Sequence, residues 1–164
     1  MRGLVAAVML ALSPVAASVE AGAGAPNVAL ASLEDPGAVV RLSRFRGSVV
    51  YVDFWASWCV PCRTSMPVLD ELYAQHGGLG LAVIGVNKDT LARDAHRFLE
   101  KVPVHFMLVT DADDAAARAF DVKAMPSGYL LDRKGVVRRV HRGFTAETAG
   151  ELRREVEALL KEPG

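Results

Sequence analysis

The sequence predicts an α/β fold in which a central mixed sheet is flanked by helices, with a β-hairpin at its N-terminal end. Strand-like and helix-like patterns alternate along the 164 residues, which is typical of α/β proteins. Residues 49–55 form an apolar run broken only by Asp53, as expected for a strand covered on both faces. Turn signals at residues 35–37 and 132–135 predict hairpins near both ends of the chain.

The N-terminal half is predicted to contain strands over residues 28–33, 39–42 and 49–55, a helix from at or just after Cys59 to about residue 75, and a strand over 81–86. The helix is predicted because apolar residues recur at helical spacing, at Met66, Leu69, Leu72 and Tyr73. Gly77-Gly78 is expected to end it, since glycine commonly terminates helices.

The C-terminal half is predicted to contain a helix over residues 90–101, a strand over 106–110, a short helix over 111–120, strands over 129–131 and 136–142, and a final helix after residue 145. The first of these helices has Leu91, Ala95 and Phe98 at helical spacing, and Pro103 stops it. Asp111 and Thr145 can each cap the helix that follows them.

The two cysteines of the chain, Cys59 and Cys62, are separated by Val60-Pro61 and follow a predicted strand. A thiol at a helix N-terminus faces unpaired backbone N–H groups and the positive end of the helix dipole, which stabilise a thiolate. Such a setting can lower a cysteine pKa from about 8.5 to roughly 3.5–7.5. The second thiol, about one turn on, can attack the first sulfur once a mixed disulfide has formed. The spacing therefore predicts a redox couple.

Other uses of a CxxC pair fit the sequence less well. Zinc needs four ligands, but there is no second cysteine pair and the histidines show no ligand spacing with these two. Covalent haem attachment needs His at the position of Arg63. A purely structural disulfide would close so short a loop that it hardly constrains the unfolded chain.

Two segments carry a resemblance to a known family. The first is residues 53–63, DFWASWCVPCR, followed by Met66-Pro67, and the second is Met125-Pro126 with the strand after it. Together they resemble the thioredoxin superfamily, and most closely its exported TlpA/ResA-like thiol–disulfide oxidoreductases. The resemblance runs from about residue 27 to about residue 160. It implies a thioredoxin-like fold with one αβ unit inserted at about residues 90–110.

Asp53 is the next candidate site residue. A charged carboxylate is costly to bury in an apolar strand, so its pKa is expected to be raised. In the family the matching aspartate lies beneath the CxxC pair, and the resemblance implies that Asp53 accepts the proton of Cys62. An aspartate facing solvent from an edge strand is the alternative. The lysine that often accompanies this aspartate in thioredoxins corresponds to Gly85 here.

The resemblance also assigns roles to Pro126, Met125 and Trp58. It implies a cis peptide bond before Pro126, which would bring the backbone of Met125 beside Cys59. The free backbone groups of Met125 could then pair with an extended substrate segment by strand addition. Trp58 is expected to be partly exposed beside Cys59 and to offer a client protein a flat apolar contact, with a place in the core as the alternative.

The function that the resemblance implies is reduction of disulfides in client proteins. Cys59 attacks, Cys62 resolves the mixed disulfide, and a membrane electron donor, such as a transmembrane thiol–disulfide reductase, restores the dithiol. The sequence has no flavin or nicotinamide motif, so no cofactor is expected. Val60-Pro61 resembles the dipeptide of reducing members, while a thiol oxidase or isomerase of the same fold is the alternative direction.

A copper-binding or copper-delivery module, using Cys59, Cys62 and His141, is the alternative from another class of protein. Its usual cysteine spacing is wider than CxxC, and no metal is predicted. Apocytochromes, copper-site assembly proteins and general periplasmic thiols all stay open as clients. Members that act in cytochrome c maturation commonly carry Glu where Ser65 stands and often lack the aspartate, whereas this chain keeps Asp53.

The N-terminal residues predict a signal peptide over residues 1–25, followed by a thioredoxin-like domain over 26–164 that is periplasmic or otherwise exported from a bacterium. The apolar stretch over residues 3–12 is shorter than the ~20 residues that span a bilayer. Candidate cleavage sites end at Ala17, Ala23 and Ala25. The balance of 19 basic and 19 acidic residues excludes the basic footprint of a nucleic-acid-binding protein.

Overall fold

The computed structural model describes residues 19–163, and within that range one seven-stranded mixed sheet is flanked by helices. The strands are β1 (Ala29–Ser32), β2 (Val39–Arg41), β3 (Val49–Trp55), β4 (Leu81–Asn87), β5 (Met107–Thr110), β6 (Ser127–Leu131) and β7 (Val137–Arg142). The α-helices are α1 (Cys62–His76), α2 (Ala92–Leu99), α3 (Ala115–Ala119) and α4 (Ala146–Lys161). The spatial order of the strands is β2-β1-β5-β4-β3-β6-β7.

Strand β3 is a central strand, as its apolar composition predicts. It pairs in parallel with β4 and antiparallel with β6, and all seven of its residues are buried. This position excludes the alternative in which Asp53 faces solvent from an edge strand. The N-terminal hairpin of β1 and β2 and the C-terminal hairpin of β6 and β7 are confirmed as antiparallel pairs.

The inserted αβ unit, α2 followed by β5, joins the N-terminal hairpin to the rest of the sheet. Strand β5 pairs in parallel with β4 on one side and antiparallel with β1 on the other. Without β5 the hairpin would have no hydrogen-bonded neighbour in the sheet order. The insertion predicted at residues 90–110 is therefore confirmed, and its role is to extend the sheet beyond β4.

Helix α1 begins three residues later than the earliest start predicted from the sequence. Between Cys59 and the helix the backbone hydrogen bonds join residues three apart, from Cys62 N–H to Cys59 O (3.2 Å) and from Arg63 N–H to Val60 O (3.2 Å). The first α-helical bond runs from Ser65 N–H to Pro61 O (3.1 Å). The CxxC segment therefore forms the turn that leads into α1, and Cys62 is its first residue.

Two other helix ends differ from the prediction, whereas α1 ends at His76, just before Gly77, as predicted. Leu91 precedes α2 in an extended conformation and is 46% exposed, so it leaves the predicted apolar face. After α1 a short 3-10 turn covers Gly77–Leu79, and the left-handed glycine that closes it is Gly80, with φ 103°. Helix α3 is shorter than predicted, although Asp111 does accept bonds from two of its N–H groups. The predicted cap of α4 is confirmed, since Thr145 Oγ1 accepts from Thr148 N–H at 3.2 Å.

Two buried layers cover the faces of the sheet. We call the first the α1/α4 layer, and its helical members are Met66, Leu69, Leu72, Phe98, Leu152, Val156 and Leu159. We call the second the α3 layer, and it includes Ala116, Ala117 and Phe120 together with Leu30 of β1 and Val40 of β2. Alternate residues of β3 contribute to each layer, because successive side chains of a strand point to opposite faces.

Residues 19–25 lie against β7, although the sequence places them in the export segment. Val19 is buried, the N–H of Gly22 donates to Val137 O (2.7 Å), and the N–H of Val137 donates to Ala23 O (2.8 Å). The rest of the predicted signal peptide, residues 1–18, lies outside the described residues. Between residues 19 and 163, no helix is both long and apolar enough to cross a membrane.

Candidate active site

The two cysteines form a disulfide at the N-terminal end of α1. Cys62 is fully buried and Cys59 is 4% exposed. The backbone N–H of Cys62 lies 3.2 Å from Cys59 Sγ, so a helix-terminal donor faces the outer sulfur. Because such a donor stabilises negative charge, Cys59 is the sulfur better placed to be a thiolate. Cys62 lies behind it and is shielded from solvent.

A buried polar network holds the turn in front of the disulfide. Asp89, which is 4% exposed, accepts from the backbone N–H of Ser57 (3.0 Å) and from its hydroxyl (2.8 Å). The amide of Asn87 donates to the same carboxylate at 2.8 Å. The sequence analysis missed this network. Its signal was a pair of polar residues at the carboxyl end of β4, where neighbouring parallel strands bring their ends together.

Asp53 lies in the middle of β3, on the face covered by the α1/α4 layer, and is 1% exposed. Its Oδ2 atom has no hydrogen-bond partner among the described residues. Burial raises the pKa of the Asp53 carboxyl well above its ordinary value. The expected increase in this pKa is therefore present, and it comes from loss of water rather than from a neighbouring charge.

On the β4 side, the neighbour of Asp53 is a glycine and not a charged residue, and apolar side chains fill the space beside it. Gly85 is the direct neighbour of Asp53 in the register of β3 and β4. A Cβ atom on Gly85 would lie 2.8 Å from Leu108 and 3.1 Å from the indole Nε1 of Trp55. This glycine therefore lets the sheet pack tightly at the position where thioredoxins often carry a lysine.

Met125 and Trp58 line one groove, and Pro126 follows Met125 in the chain. The Met125–Pro126 peptide bond is cis, as the resemblance implies. Trp58 is 66% exposed, which excludes a place in the core. Trp58 and Met125 both line a groove of about 540 Å³. The other lining residues come from α3 and from the segments that follow β4, β5 and α3. The two residues that flank Cys59, Trp58 and Val60, are apolar and exposed, whereas the exposed residue after Cys62 is Arg63.

A second polar cluster is formed by Tyr51 of β3, His141 of β7 and Glu155 of α4. Tyr51 Oη and His141 Nδ1 lie 3.4 Å apart, and His141 Nε2 lies 3.2 Å from Glu155 Oε2. Burial raises the pKa of Tyr51 well above its ordinary value and lowers that of His141. The sequence analysis considered His141 only as a copper ligand. The missed signal is that Tyr51 precedes Asp53 by two residues and so shares its face of the strand.

The structure does not group the residues of the copper alternative. Between residues 19 and 163, no three His, Cys, Asp or Glu side chains converge closely enough to hold a metal ion. His141 lies on β7, and its contacts are Tyr51 of β3 and Glu155 of α4. What the site can perform with its own residues is thiol–disulfide exchange, and Asp53 is a buried titratable group on the strand that leads to the CxxC turn.

Comparison with known proteins gives consistent matches. A family model described as Redoxin matches residues 20–160. The chain is 30% identical to the thiol-disulfide oxidoreductase ResA of Geobacillus thermodenitrificans (strain NG80-2), over 87% of this chain and 79% of that protein. It is also 30% identical to ResA of Bacillus subtilis (strain 168), over 80% and 72%.

Among solved structures, a Chlorobium tepidum protein described as a thiol:disulfide interchange protein DsbE superposes with a TM-score of 0.82 and 40% identity. The superposition covers 87% of this chain and 99% of that chain. The match in architecture confirms the thioredoxin-like fold that the sequence predicts.

Proposed function

The chain belongs to the Redoxin family, among the TlpA/ResA-like thiol–disulfide oxidoreductases of the thioredoxin superfamily, and we propose that it reduces disulfides in client proteins outside the cytoplasm. The observation that carries the proposal is the Cys59–Cys62 pair, with the outer sulfur facing a helix-terminal N–H and the inner sulfur buried. This asymmetry gives the two sulfurs different tasks, attack for Cys59 and resolution for Cys62.

The reaction has two exchanges. The Cys59 thiolate attacks one sulfur of a client disulfide, so that a Cys59–client bond forms, the client S–S bond breaks and one client thiolate leaves. Cys62 then gives its proton to Asp53 and attacks the Cys59 sulfur, which releases the second client thiolate. The two client thiolates take up protons, the client gains two electrons, and the Cys59–Cys62 disulfide remains.

Asp53 is proposed as the base in the second exchange. Its carboxyl is buried, has an unpartnered oxygen and has a raised pKa, so its carboxylate is a stronger base than that of an exposed aspartate. A fully ionised surface carboxylate would be too weak a base for a thiol. The burial that makes Asp53 costly for the fold is what fits it for this task.

Clients are proposed to bind along the groove that Trp58 and Met125 share. Trp58 offers a flat apolar surface, and its 66% exposure leaves it open to a partner. The cis bond at Met125–Pro126 immediately precedes β6, and the backbone of Met125 is proposed to pair with an extended client segment. Pro126 contributes by having no N–H to compete for the thiolate.

Export is proposed with a cleavage site upstream of Val19. The hydrogen bonds and burial of residues 19–25 attach them to β7, and Glu20 pairs with Arg142 at 3.0 Å. Cleavage after Ala25 would remove these contacts, whereas cleavage after Ala17 would keep them. Mass spectrometry of the protein exported by a bacterial host is expected to find Val19 to Ala25 retained, and a mature chain beginning at Pro26 would contradict this.

The direction of electron flow is tested by the reduction potential. The full-length chain, equilibrated with glutathione and dithiothreitol buffers, is expected to give a potential near the thioredoxin value of about −270 mV. Such a dithiol needs re-reduction, which we assign to a membrane electron donor. A potential near −120 mV would instead indicate a thiol oxidant and reverse the electron flow.

The assignment of the two cysteines has its own test. Cys62→Ser is expected to accumulate a mixed disulfide through Cys59, because the resolving thiol is gone, whereas Cys59→Ser should trap none. Non-reducing electrophoresis after incubation with a disulfide-containing protein distinguishes these outcomes. Trapping by Cys59→Ser instead would reverse the two roles, and tight copper(I) binding that requires His141 would favour the copper module.

A further inference from the structure

We propose that Tyr51, His141 and Glu155 form a proton path that connects Asp53 to solvent. The inference rests on the proposed role of Asp53 as the base for Cys62, and it assigns three positioning residues that act through that carboxyl. They lie on β3, β7 and α4, outside the cysteine loop and the client groove.

A path is needed because Asp53 has no direct contact with water. It is 1% exposed, and a proton that it takes from Cys62 must leave before the next turnover. On the β4 side, the space beside Gly85 is closed by Leu108 and Phe106. The indole of Trp55 lies there too, but indole is a donor only and cannot accept a proton. The direction that remains within the sheet for a proton to leave Asp53 is across β6.

Gly128 leaves space on β6 because it has no side chain. It is the direct neighbour of Asp53 on β6, and an added Cβ would lie 1.8 Å from Tyr51 Oη. The Tyr51 hydroxyl therefore occupies the place where a side chain at position 128 would be. Directly opposed Cβ positions in an antiparallel pair lie about 4.5–5.5 Å apart, so one bridging water could join the hydroxyl to the carboxyl that projects from Asp53.

The next step runs from Tyr51 to His141. His141 is the neighbour of Gly128 on β7, so Asp53 and His141 lie on either side of Gly128 in the register of the three strands. Tyr51 Oη is 3.4 Å from His141 Nδ1. Burial keeps the phenol protonated by raising its pKa and keeps the imidazole neutral by lowering its pKa. A protonated phenol that donates to a neutral imidazole is the arrangement that a relay requires.

Glu155 completes the path and sets the tautomer. His141 Nε2 is 3.2 Å from Glu155 Oε2, a buried oxygen that has no hydrogen-bond partner among the described residues. A carboxylate at Nε2 favours the proton on that nitrogen, which leaves Nδ1 free to accept from Tyr51. Glu155 is partly exposed at the edge of a surface groove, so the path ends at water.

The titratable groups around His141 are Tyr51 and Asp53 from β3, Arg139 from its own strand, and Glu151, Arg154 and Glu155 from α4.

The proton count closes without any electron transfer. Asp53 gives its proton to Tyr51 Oη as Tyr51 gives its own to His141 Nδ1, and the imidazole releases the Nε2 proton towards Glu155 and water. Tyr51 ends as it began, and exchange of ring protons with water in the groove restores the tautomer of His141. One proton has left Asp53 and one has reached solvent.

The test is the steady-state rate at which the chain, kept reduced by excess dithiothreitol, reduces a disulfide over many turnovers, measured from pH 5 to pH 9 in weak buffer, in H2O and D2O. Tyr51→Phe and His141→Gln are each expected to slow this rate roughly 10- to 100-fold near neutral pH, because the proton on Asp53 must leave in every turnover. The reduction potential should not change, because a relay alters rates and not the equilibrium. Added imidazole should restore His141→Ala towards the parent rate.

Tyr129→Phe is the matched control. It also removes a buried hydroxyl, which donates to Phe120 O at 2.8 Å, but it lies in the α3 layer and should leave the rate unchanged. Equal slowing by Tyr129→Phe, or no rescue of His141→Ala by imidazole, would overturn the relay. Circular dichroism and unfolding curves establish that each variant is folded.

The Asp53→Asn background distinguishes failure of the relay from failure of the proposed function. If Asp53→Asn slows the reaction and Tyr51→Phe adds nothing further to it, both residues act in one path and the relay is supported. If Asp53→Asn slows the reaction but Tyr51→Phe alone does not, the relay is wrong and the role of Asp53 stands. If Asp53→Asn has no effect, the base itself is misassigned and the relay falls with it.

Discussion

The two faces of the central strand β3 differ in chemistry although they alternate within seven residues. Val50, Val52 and Phe54 face the α3 layer, where every β3 side chain is apolar. Tyr51 and Asp53 face the α1/α4 layer, beneath the disulfide. The first face has the composition that a stable core requires. The second carries buried polar groups that a core chosen for stability alone would not contain.

Hydrogen bonding shows the same contrast. In the α3 layer the buried hydroxyl of Tyr129 donates to Phe120 O at 2.8 Å, and on the same face the hydroxyl of Ser127 donates to Ala124 O at 2.7 Å. On the other face Asp53 Oδ2 and Trp55 Nε1 are buried and have no partner among the described residues. Native proteins leave few such groups, and each calls for an explanation. The difference indicates that one face of β3 serves mainly stability and the other serves the proposed proton chemistry.

The largest effect expected is on the stability face. Phe54 is fully buried and packs edge-on against Tyr129, with ring centroids 5.9 Å apart. Phe54→Ala should lower the free energy of unfolding by about 3–5 kcal/mol, because it removes apolar contacts and leaves a cavity. Urea denaturation of the oxidised protein measures this, and Phe54→Leu should cost less. The reduction potential of the folded variant should stay unchanged, and a large change in it would break the contrast between the faces.

Asp53→Asn should have the opposite effect on stability. The folded-state pKa of Asp53 is raised by burial, whereas the unfolded chain has the ordinary value near 3.9. Below about pH 4 the carboxyl is protonated in both states and costs nothing. As the pH rises towards the folded-state pKa, the unfolded state alone ionises, and the parent loses about 1.4 kcal/mol of stability per pH unit.

The variant lacks this loss, so its advantage should appear only above about pH 4 and grow until the pH passes the folded-state pKa of Asp53. Denaturation curves of the oxidised proteins at a series of pH values check this, and using the disulfide form removes any contribution from thiol titration. An advantage of equal size at pH 3 and pH 7 would contradict the assignment of a raised pKa to this carboxyl.

The sequence predicts the stability face better than the functional one. The apolar run of β3, the two hairpins and the cap at Thr145 are local patterns, and the structure confirms each of them. The CxxC pair and Asp53 were found because one segment holds them. Tyr51 and His141 were not grouped with Asp53, because only the register of three strands aligns Asp53, Gly128 and His141. The Tyr51 hydroxyl reaches this row from two residues along β3. The support of Ser57 by Asp89 was missed for the same reason.

Gly128→Ala tests whether the row across the three strands is as tight as the register indicates. The added methyl group would lie 1.8 Å from Tyr51 Oη, so the phenol has to move. A loss of about 1–3 kcal/mol in the free energy of unfolding is expected from this overpacking. Gly78→Ala is the control, since no heavy atom lies within 4 Å of the added carbon. Equal stability of the two variants would show that the Tyr51 hydroxyl does not fill the space at Gly128.

The smallest effect on stability is expected at Trp58, which lies at the surface and belongs to neither face. It is 66% exposed, so Trp58→Ala should change the free energy of unfolding by no more than about 0.5 kcal/mol. The Michaelis constant for a disulfide-bonded protein client should nevertheless rise, because an apolar contact in the groove is lost, while the rate with a small disulfide stays the same. Val39→Ala, at an apolar side chain 58% exposed on β2, is the matched control and should alter neither. A parallel loss with protein and small disulfides would move Trp58 from client binding into the chemistry of the cysteine pair.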